Sequence, residues 1–127
     1  MNKQKTILII EDEQILQDVY KLVLTTTGYK VHTADNGVEG LSVIKRVHPD
    51  LVLLDIFMPV MDGKEFLRNI DTGDFPKTKI IVYTNMYDKA TEQEMKDLGA
   101  DDFILKSSMG PDDLIKLVAT HLEKSED

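Results

Sequence analysis

The chain has 127 residues, the size of one compact domain, and its 42% hydrophobic content is enough for one buried core. Its 15 Lys+Arg against 23 Asp+Glu leave a formal charge of −8, which argues against a surface that grips a phosphate backbone or lies on an anionic membrane. The absence of Cys excludes disulfides, thiolate metal sites and a Cys nucleophile, and the longest apolar stretch, 51–61, is interrupted by Asp55 and too short to span a bilayer. The opening MNKQKT lacks the apolar core of a secretion signal. The expectation is a cytoplasmic single domain over 4–124, with no membrane partner and no direct contact with nucleic acid.

In chain order, short apolar runs alternate with longer amphipathic ones. Thr6–Ile10 reads as a strand, and Gln14–Thr27 as a helix with Ile15, Leu16, Val19, Leu22 and Val23 on its apolar face and Gly28 as its stop. Residues 29–34 read as a second strand. Asn36, with Glu39 three residues on, resembles a capping box that opens a helix through Val38, Leu41 and Ile44. The run 51–54 is the most apolar strand, as a central strand buried on both faces should be. A helix over 64–70 buries Phe66, Leu67 and Ile70; 79–83 is a fourth strand; 88–98 is a sparsely apolar helix ended by Gly99. Asp102–Leu105 is a fifth strand, and a last helix runs over 111–123, with Asp112 and Asp113 in its first turn suiting its dipole. The tail from Glu123 to Asp127 is polar enough to fray.

Five β–α units in succession predict an α/β fold: a doubly wound five-stranded parallel sheet with helices on both faces. Right-handed crossovers bring the C-terminal ends of all strands to one edge, and ligands bind outside that edge. The strands end there in Glu11-Asp12-Glu13, Asp55, Thr84 and Lys106, while Asp35 and Asn36, after strand two, are assigned to helix capping.

Each residue taken singly has an ordinary explanation. Asp55, or one of the three N-terminal acids, can cap the helix that follows it; Thr84 favours strands; Lys106 can be a solvated cation. Together they resist that explanation. Carboxylates gathered at one edge need a compensating cation, and ligands that are all oxygen favour Mg²⁺ or Mn²⁺. A Mg²⁺ with open positions beside an acid is an arrangement for phosphoryl transfer, in which Asp55 is the nucleophile. Lys106 then offers a point charge to one phosphoryl oxygen and Thr84 a hydroxyl to another.

At these residues the chain resembles the receiver domain of two-component response regulators, over nearly its whole length. The resemblance is carried by ILIIEDE, by DLVLLDIFMPVMDG around Asp55, by YTN after strand four and by GADDFILKS. Asp55, Pro59, Asp62 and Gly63 fall at the family's spacing. The resemblance implies the flavodoxin-like strand order 2-1-3-4-5. It further implies Asp55 as phosphoacceptor, Mg²⁺ held by Glu11, Asp12, Asp55 and the backbone carbonyl of Phe57, and Thr84 and Lys106 on the phosphoryl group. It also implies Thr84 and Phe103 as the switch, and Phe103 is expected to turn inward from a more exposed position on phosphorylation. The implied donor is a phosphohistidine on a sensor histidine kinase or phosphotransfer domain. The sparsely apolar helix over 88–98 is expected to respond, so the output to a downstream protein is expected on that helix, strand five and the last helix. Such a domain catalyses only its own phosphorylation and dephosphorylation.

The chain departs from the family pattern at Glu11, commonly Asp; at Asn85, where a small residue is usual; and at Ser107, usually Pro. His32, His48 and His121 show no ligand spacing and read as surface residues, Met58 and Met61 as packing anchors, and Asp62 as a helix cap. An Asp-nucleophile phosphatase would need a second acid in D-x-D, whereas here the run is Asp55-Ile56-Phe57. A flavin module would need a phosphate-cradling loop where Glu11-Asp12-Glu13 would repel phosphate. A phosphorylation-independent pseudo-receiver would be expected to lack a catalytic group, and none is missing.

Overall fold

The computed structural model describes residues 4–125. The elements are β1 (Thr6–Ile10), α1 (Gln14–Thr27), β2 (Lys30–Ala34), α2 (Gly37–Val47), β3 (Leu51–Asp55), α3 (Gly63–Asn69), β4 (Lys79–Thr84), α4 (Lys89–Asp97), β5 (Asp102–Leu105) and α5 (Pro111–Ser125). The sheet is five-stranded and parallel, as the β–α alternation predicts, and its order β2-β1-β3-β4-β5 is the one the resemblance implies. α5 continues past the expected end at Glu123, and the remainder of the polar tail, Glu126 and Asp127, lies outside the described residues.

Strand alternation sorts the core into two layers. Leu8, Ile10, Val52, Leu54, Ile80 and Val82 pack against α2, α3 and α4, with Ile44, Phe66 and Met95 opposite them. Ile7, Ile9, Leu51, Leu53, Ile81 and Tyr83 face α1 and α5, meeting Tyr20, Leu24, Leu114 and Val118. β3 is buried along its whole length, which matches its unbroken hydrophobicity.

Local chemistry ends the helices where the sequence suggested. Gly28 closes α1 at φ 115°, a left-handed conformation that costs a glycine little. Asn36 accepts from the Glu39 amide at 3.0 Å and Asp62 from the Glu65 amide at 2.9 Å, so both act as caps. Gly63 opens α3 so close to β3 that a Cβ would meet the Asp55 carbonyl oxygen at 2.5 Å. In the loop before it, the Met61 amide donates to the Pro59 carbonyl at 2.7 Å, turning the chain about Val60 at φ 70°. For a β-branched residue that is a strained conformation.

Several expectations need correction. The apolar face expected for α1 is mostly exposed: Ile15 is 81% and Leu22 68% accessible, and Val19 is also open. The face actually buried carries Gln17, Tyr20 and Leu24, because a Tyr and a bonded Gln fill the space against the sheet. On α4, Ala90 is exposed and Met95 is the buried residue, so that helix is anchored more sparsely than expected. Asp35 is not a cap; it accepts from Gln17 Nε2 at 3.0 Å. His121 is not a free surface group, since its Nε2 lies 2.9 Å from Asp102 Oδ2 with only 14% of its side chain exposed.

Candidate functional site

The strand alternation that sorts the core also builds the site. Glu11 extends the Ile7–Ile9 parity, Asp55 the Leu51–Leu53 parity, and Lys106 the Ile104 parity, all on the face toward α1 and α5. Tyr83 lies on the same face of β4, in register with Asp55. Four side chains with polar ends therefore converge at the C-terminal edge of β1, β3, β4 and β5.

Lys106 is the hub. Its Nζ lies 2.9 Å from Glu11 Oε1 and 3.3 Å from Asp55 Oδ2, with 7% of the side chain exposed. A more distant 3.8 Å pairing reaches Glu13, at the rim. Glu11 is fully buried: Oε1 also accepts from the Tyr83 hydroxyl at 3.0 Å, and Oε2 from the Glu13 amide at 3.0 Å. Gln17 Nε2 donates to the Glu11 backbone carbonyl at 2.9 Å and so ties the end of β1 to α1. One oxygen each of Glu11, Asp12 and Asp55 lie within 4.8 Å of one another; Glu11 and Asp55 are buried and Asp12 is exposed at the opening.

The ordinary roles open to these residues in sequence are not the ones they fill. Glu13, the residue at the N-cap of α1, makes no side-chain cap bond, and α3 is capped by Asp62 rather than Asp55. Lys106 is buried, not solvated. A buried acid with no capping duty, beside a second buried acid, is a costly arrangement for which a fold alone has no use.

The electrostatics record that cost. Burial, reinforced by the charge of Glu11, pushes the Asp55 carboxyl up to about 7, against a partial offset from Lys106. Burial also works on Glu11, but the Glu13 amide, Lys106 and Tyr83 outweigh it and hold Glu11 below its ordinary value. Burial works against the charge on Lys106, yet Glu11 and Asp55 keep its pKa above the usual lysine range. Burial, with Glu11 and Asp55 nearby, drives Tyr83 well above a normal phenol, so its hydroxyl remains a donor.

These oxygen donors fit a hard divalent cation better than any alternative. Two buried carboxylates share one ammonium, an exposed carboxylate stands at the mouth, and no nitrogen or sulfur ligand is in the group.

Thr84 ends β4 one residue past the level of Asp55 and is fully buried; its Oγ1 accepts from the Met86 amide at 3.3 Å. Phe103 differs from expectation: it is 7% exposed and already turned inward. The ring of Tyr87, itself 57% exposed, meets it edge-on with centroids 6.0 Å apart. Phe57 and Met86, two residues beyond Asp55 and Thr84, stand out into solvent, 62% and 71% exposed. A cavity of about 360 Å³ opens beside Lys106, between Glu13, Leu16, Val19, Asn85 and Met109.

The sequence reading thus named Glu11, Asp12, Asp55 and Lys106, which the structure brings together, and Thr84 on the adjacent strand end. It missed Tyr83, Gln17 and Tyr87. A signal existed for Tyr83: a phenol in an otherwise aliphatic strand needs a partner.

Comparisons with known proteins agree with this geometry. The family model of the response regulator receiver domain matches residues 7–119. A probable C4-dicarboxylate response regulator, DctR of Bacillus subtilis, is 42% identical over 106 residues, 82% of this chain and 46% of that protein. A probable transcriptional regulator, ycf27 of Porphyridium aerugineum, is 38% identical over 84% of this chain and 43% of its own length. The chain thus spans less than half the length of these two curated relatives. Among solved structures, a CheY-like receiver domain protein from Methanospirillum hungatei superposes with a TM-score of 0.90 at 31% identity, covering 98% of both chains. The chemotaxis protein CheY4 of Vibrio cholerae superposes with a TM-score of 0.86 at 27% identity, over 93% of this chain and 98% of that one. Among the described residues, no helix is long and apolar enough to cross a membrane. The strand order, the acids at its C-terminal edge and the match over 7–119 agree, and the chain belongs to the response regulator receiver domain family.

Proposed function

We propose that residues 4–124 form one phosphorylatable receiver unit in which Asp55 accepts a phosphoryl group and the α4–β5–α5 face reports its presence. The observation that carries this reading is the pairing of a buried, uncapped Asp55 with a buried Lys106 at 3.3 Å. In the reaction an Asp55 carboxylate oxygen attacks phosphorus while the bond to the donor breaks, the donor leaving with its electron pair. With phosphohistidine as donor, on a sensor kinase or phosphotransfer domain, that bond is P–N. Lys106 is placed to shift its charge toward a phosphoryl oxygen, and the Thr84 hydroxyl to turn from the Met86 amide toward another.

Glu11, Asp12 and Asp55, with the backbone carbonyl of Phe57, would hold Mg²⁺, or Mn²⁺ in its place, and the ion supplies charge neutralisation for the transferring group. The chemistry is confined to the domain's own phosphorylation and its reversal. The docking of a donor is supported by Ile15, Val19 and Leu22, an open apolar stripe on α1 that leads to the cavity beside Lys106. The output is a downstream protein rather than nucleic acid or membrane.

Incubation with acetyl phosphate and Mg²⁺, followed by intact mass, tests the reading. One added phosphate is expected, lost in Asp55→Asn and in EDTA. Equal labelling of Asp55→Asn would refute it.

A further inference from the structure

β4 reads Lys-Ile-Ile-Val-Tyr-Thr, and its tyrosine is the anomaly. Tyr83 is fully buried, in register with Asp55, and its ring sits beneath the acidic pocket with Tyr20 braced against it at 5.9 Å between centroids. A Phe would fill nearly the same volume without bringing a hydroxyl into the core, and an unpaired hydroxyl there is costly. Its hydroxyl is not idle: it donates to Glu11 Oε1 at 3.0 Å. The face of the ring carries Lys106, whose Nζ lies 5.0 Å from the centroid.

Glu11 has three donors, and they are not equivalent. The Glu13 amide, on Oε2, is fixed in the backbone. Lys106, on Oε1, is shared with Asp55, so a phosphoryl group there would draw it away. Tyr83 has one proton, given to Glu11. It is the side-chain donor that can stay on Oε1 when Lys106 turns to phosphate. A glutamate has one more torsion than an aspartate, so its carboxylate needs more fixing to face a metal, and this donor supplies it from below.

We propose, resting on the metal-and-phosphoryl reading above, that Tyr83 is a positioning residue that acts through Glu11, holding its carboxylate toward the metal position while Lys106 is released to the phosphoryl group. Tyr83 and Glu11 then work as a unit. The longer acid requires the phenol, and a shorter acid at 11 would not reach it.

The test is a Mg²⁺ titration of the full chain without phosphodonor, followed by amide NMR at fixed pH and salt. Wild type, Tyr83→Phe, Glu11→Asp and the double variant complete a cycle. Tyr83→Phe is expected to weaken Mg²⁺ binding about tenfold, the scale of a hydrogen bond to a charged group. In the Glu11→Asp background the same change should alter binding by less than about twofold, because its partner is gone. A Tyr83→Phe chain that titrates as wild type overturns the proposal. So does an equal loss in both backgrounds, which would mark a merely structural effect. Should Tyr83→Phe fail to fold, the wild-type hydroxyl proton of Tyr83 decides: it should exchange slowly and shift on adding Mg²⁺, and a resonance that does not move overturns the proposal. If wild type shows no Mg²⁺-dependent shifts at all, the metal reading of the pocket falls instead.

Discussion

Lys106 Nζ and Asp55 Oδ2 lie 3.3 Å apart with side chains 7% and 4% exposed, so the acid that ends the central strand meets its cation nearly out of water. The same ammonium is 2.9 Å from Glu11. One positive charge thus faces two buried carboxylates, and any change in that ratio should appear in stability.

Without metal at pH 8, Asp55→Asn is expected to stabilise the fold by on the order of 1 kcal/mol or more, since it removes an uncompensated buried charge. Lys106→Met is expected to destabilise it by about 3 kcal/mol, leaving both carboxylates unpaired. Asp12, exposed at the opening, should matter less when changed to Ala. Mg²⁺ should stabilise wild type by mass action and Asp55→Asn less. Urea melts in EDTA and in Mg²⁺ measure all four. A drop in stability for Asp55→Asn in EDTA would contradict the acidic-pocket account.

Stability without metal should also fall as pH rises. Asp55 is raised by burial and by Glu11 to about 7 in the fold, against an ordinary 3.8. Between those values the folded chain keeps a proton that the unfolded chain has lost, so the slope of unfolding free energy against pH is negative. The stabilisation is complete below about pH 4, declines by on the order of a few kcal/mol toward pH 7, and levels off above it. Glu11, lowered in the fold, has the opposite sign, but its window lies below 4.5. Asp55→Asn should flatten the slope between pH 4.5 and 7, read from melts across that range.

The phosphorylated state should decay slowly. Phe57 and Met86, two residues beyond Asp55 and Thr84, are exposed and apolar, with no group to orient an attacking water. Phe57→Asn and Met86→Glu are each expected to speed loss of phosphate, and the pair more so. Unchanged decay of the mass-labelled form in all three variants would exclude these positions as gatekeepers.

The readout should begin at Thr84. Its Oγ1 accepts from the Met86 amide, next to Tyr87, whose ring rests edge-on against Phe103. Drawing Thr84 toward a phosphoryl group frees that amide and loosens the Tyr87–Phe103 contact. Because Phe103 is already inward, Tyr87 is the aromatic expected to move most. α4, with Met95 as its buried anchor, should follow. Amide NMR with beryllofluoride checks this: shifts should spread from residues 84–87 into α4 and β5 in wild type and shrink in Thr84→Ala, which should still accept phosphate. Shifts confined to the Asp55 pocket would place the output elsewhere.

Much of this was legible in the chain because its signals are local. Unbroken aliphatic runs such as 51–54 mark a strand covered on both faces, and Asn36 and Asp62 cap helices through amides three residues away. Once alternation requires a parallel sheet, handedness carries Glu11, Asp55, Thr84 and Lys106 to one edge without any coordinate. α1 misled the same reasoning. Periodicity marks an apolar stripe but not which way the helix is rotated, and Tyr20 and Gln17, less hydrophobic than Ile15 or Leu22, fit the sheet better.

By itself, then, the sequence determined the order and type of the elements, the edge at which chemistry gathers and the acids and lysine found there. All of these follow from spacing along one chain. Tertiary packing decided which polar groups are dry and which donors they share: Glu11 between Tyr83 and Lys106, Asp55 raised to about 7, Phe103 already under Tyr87. Those properties depend on distances between residues such as Glu11 and Tyr83, which lie 72 positions apart and meet only when β1 and β4 flank β3.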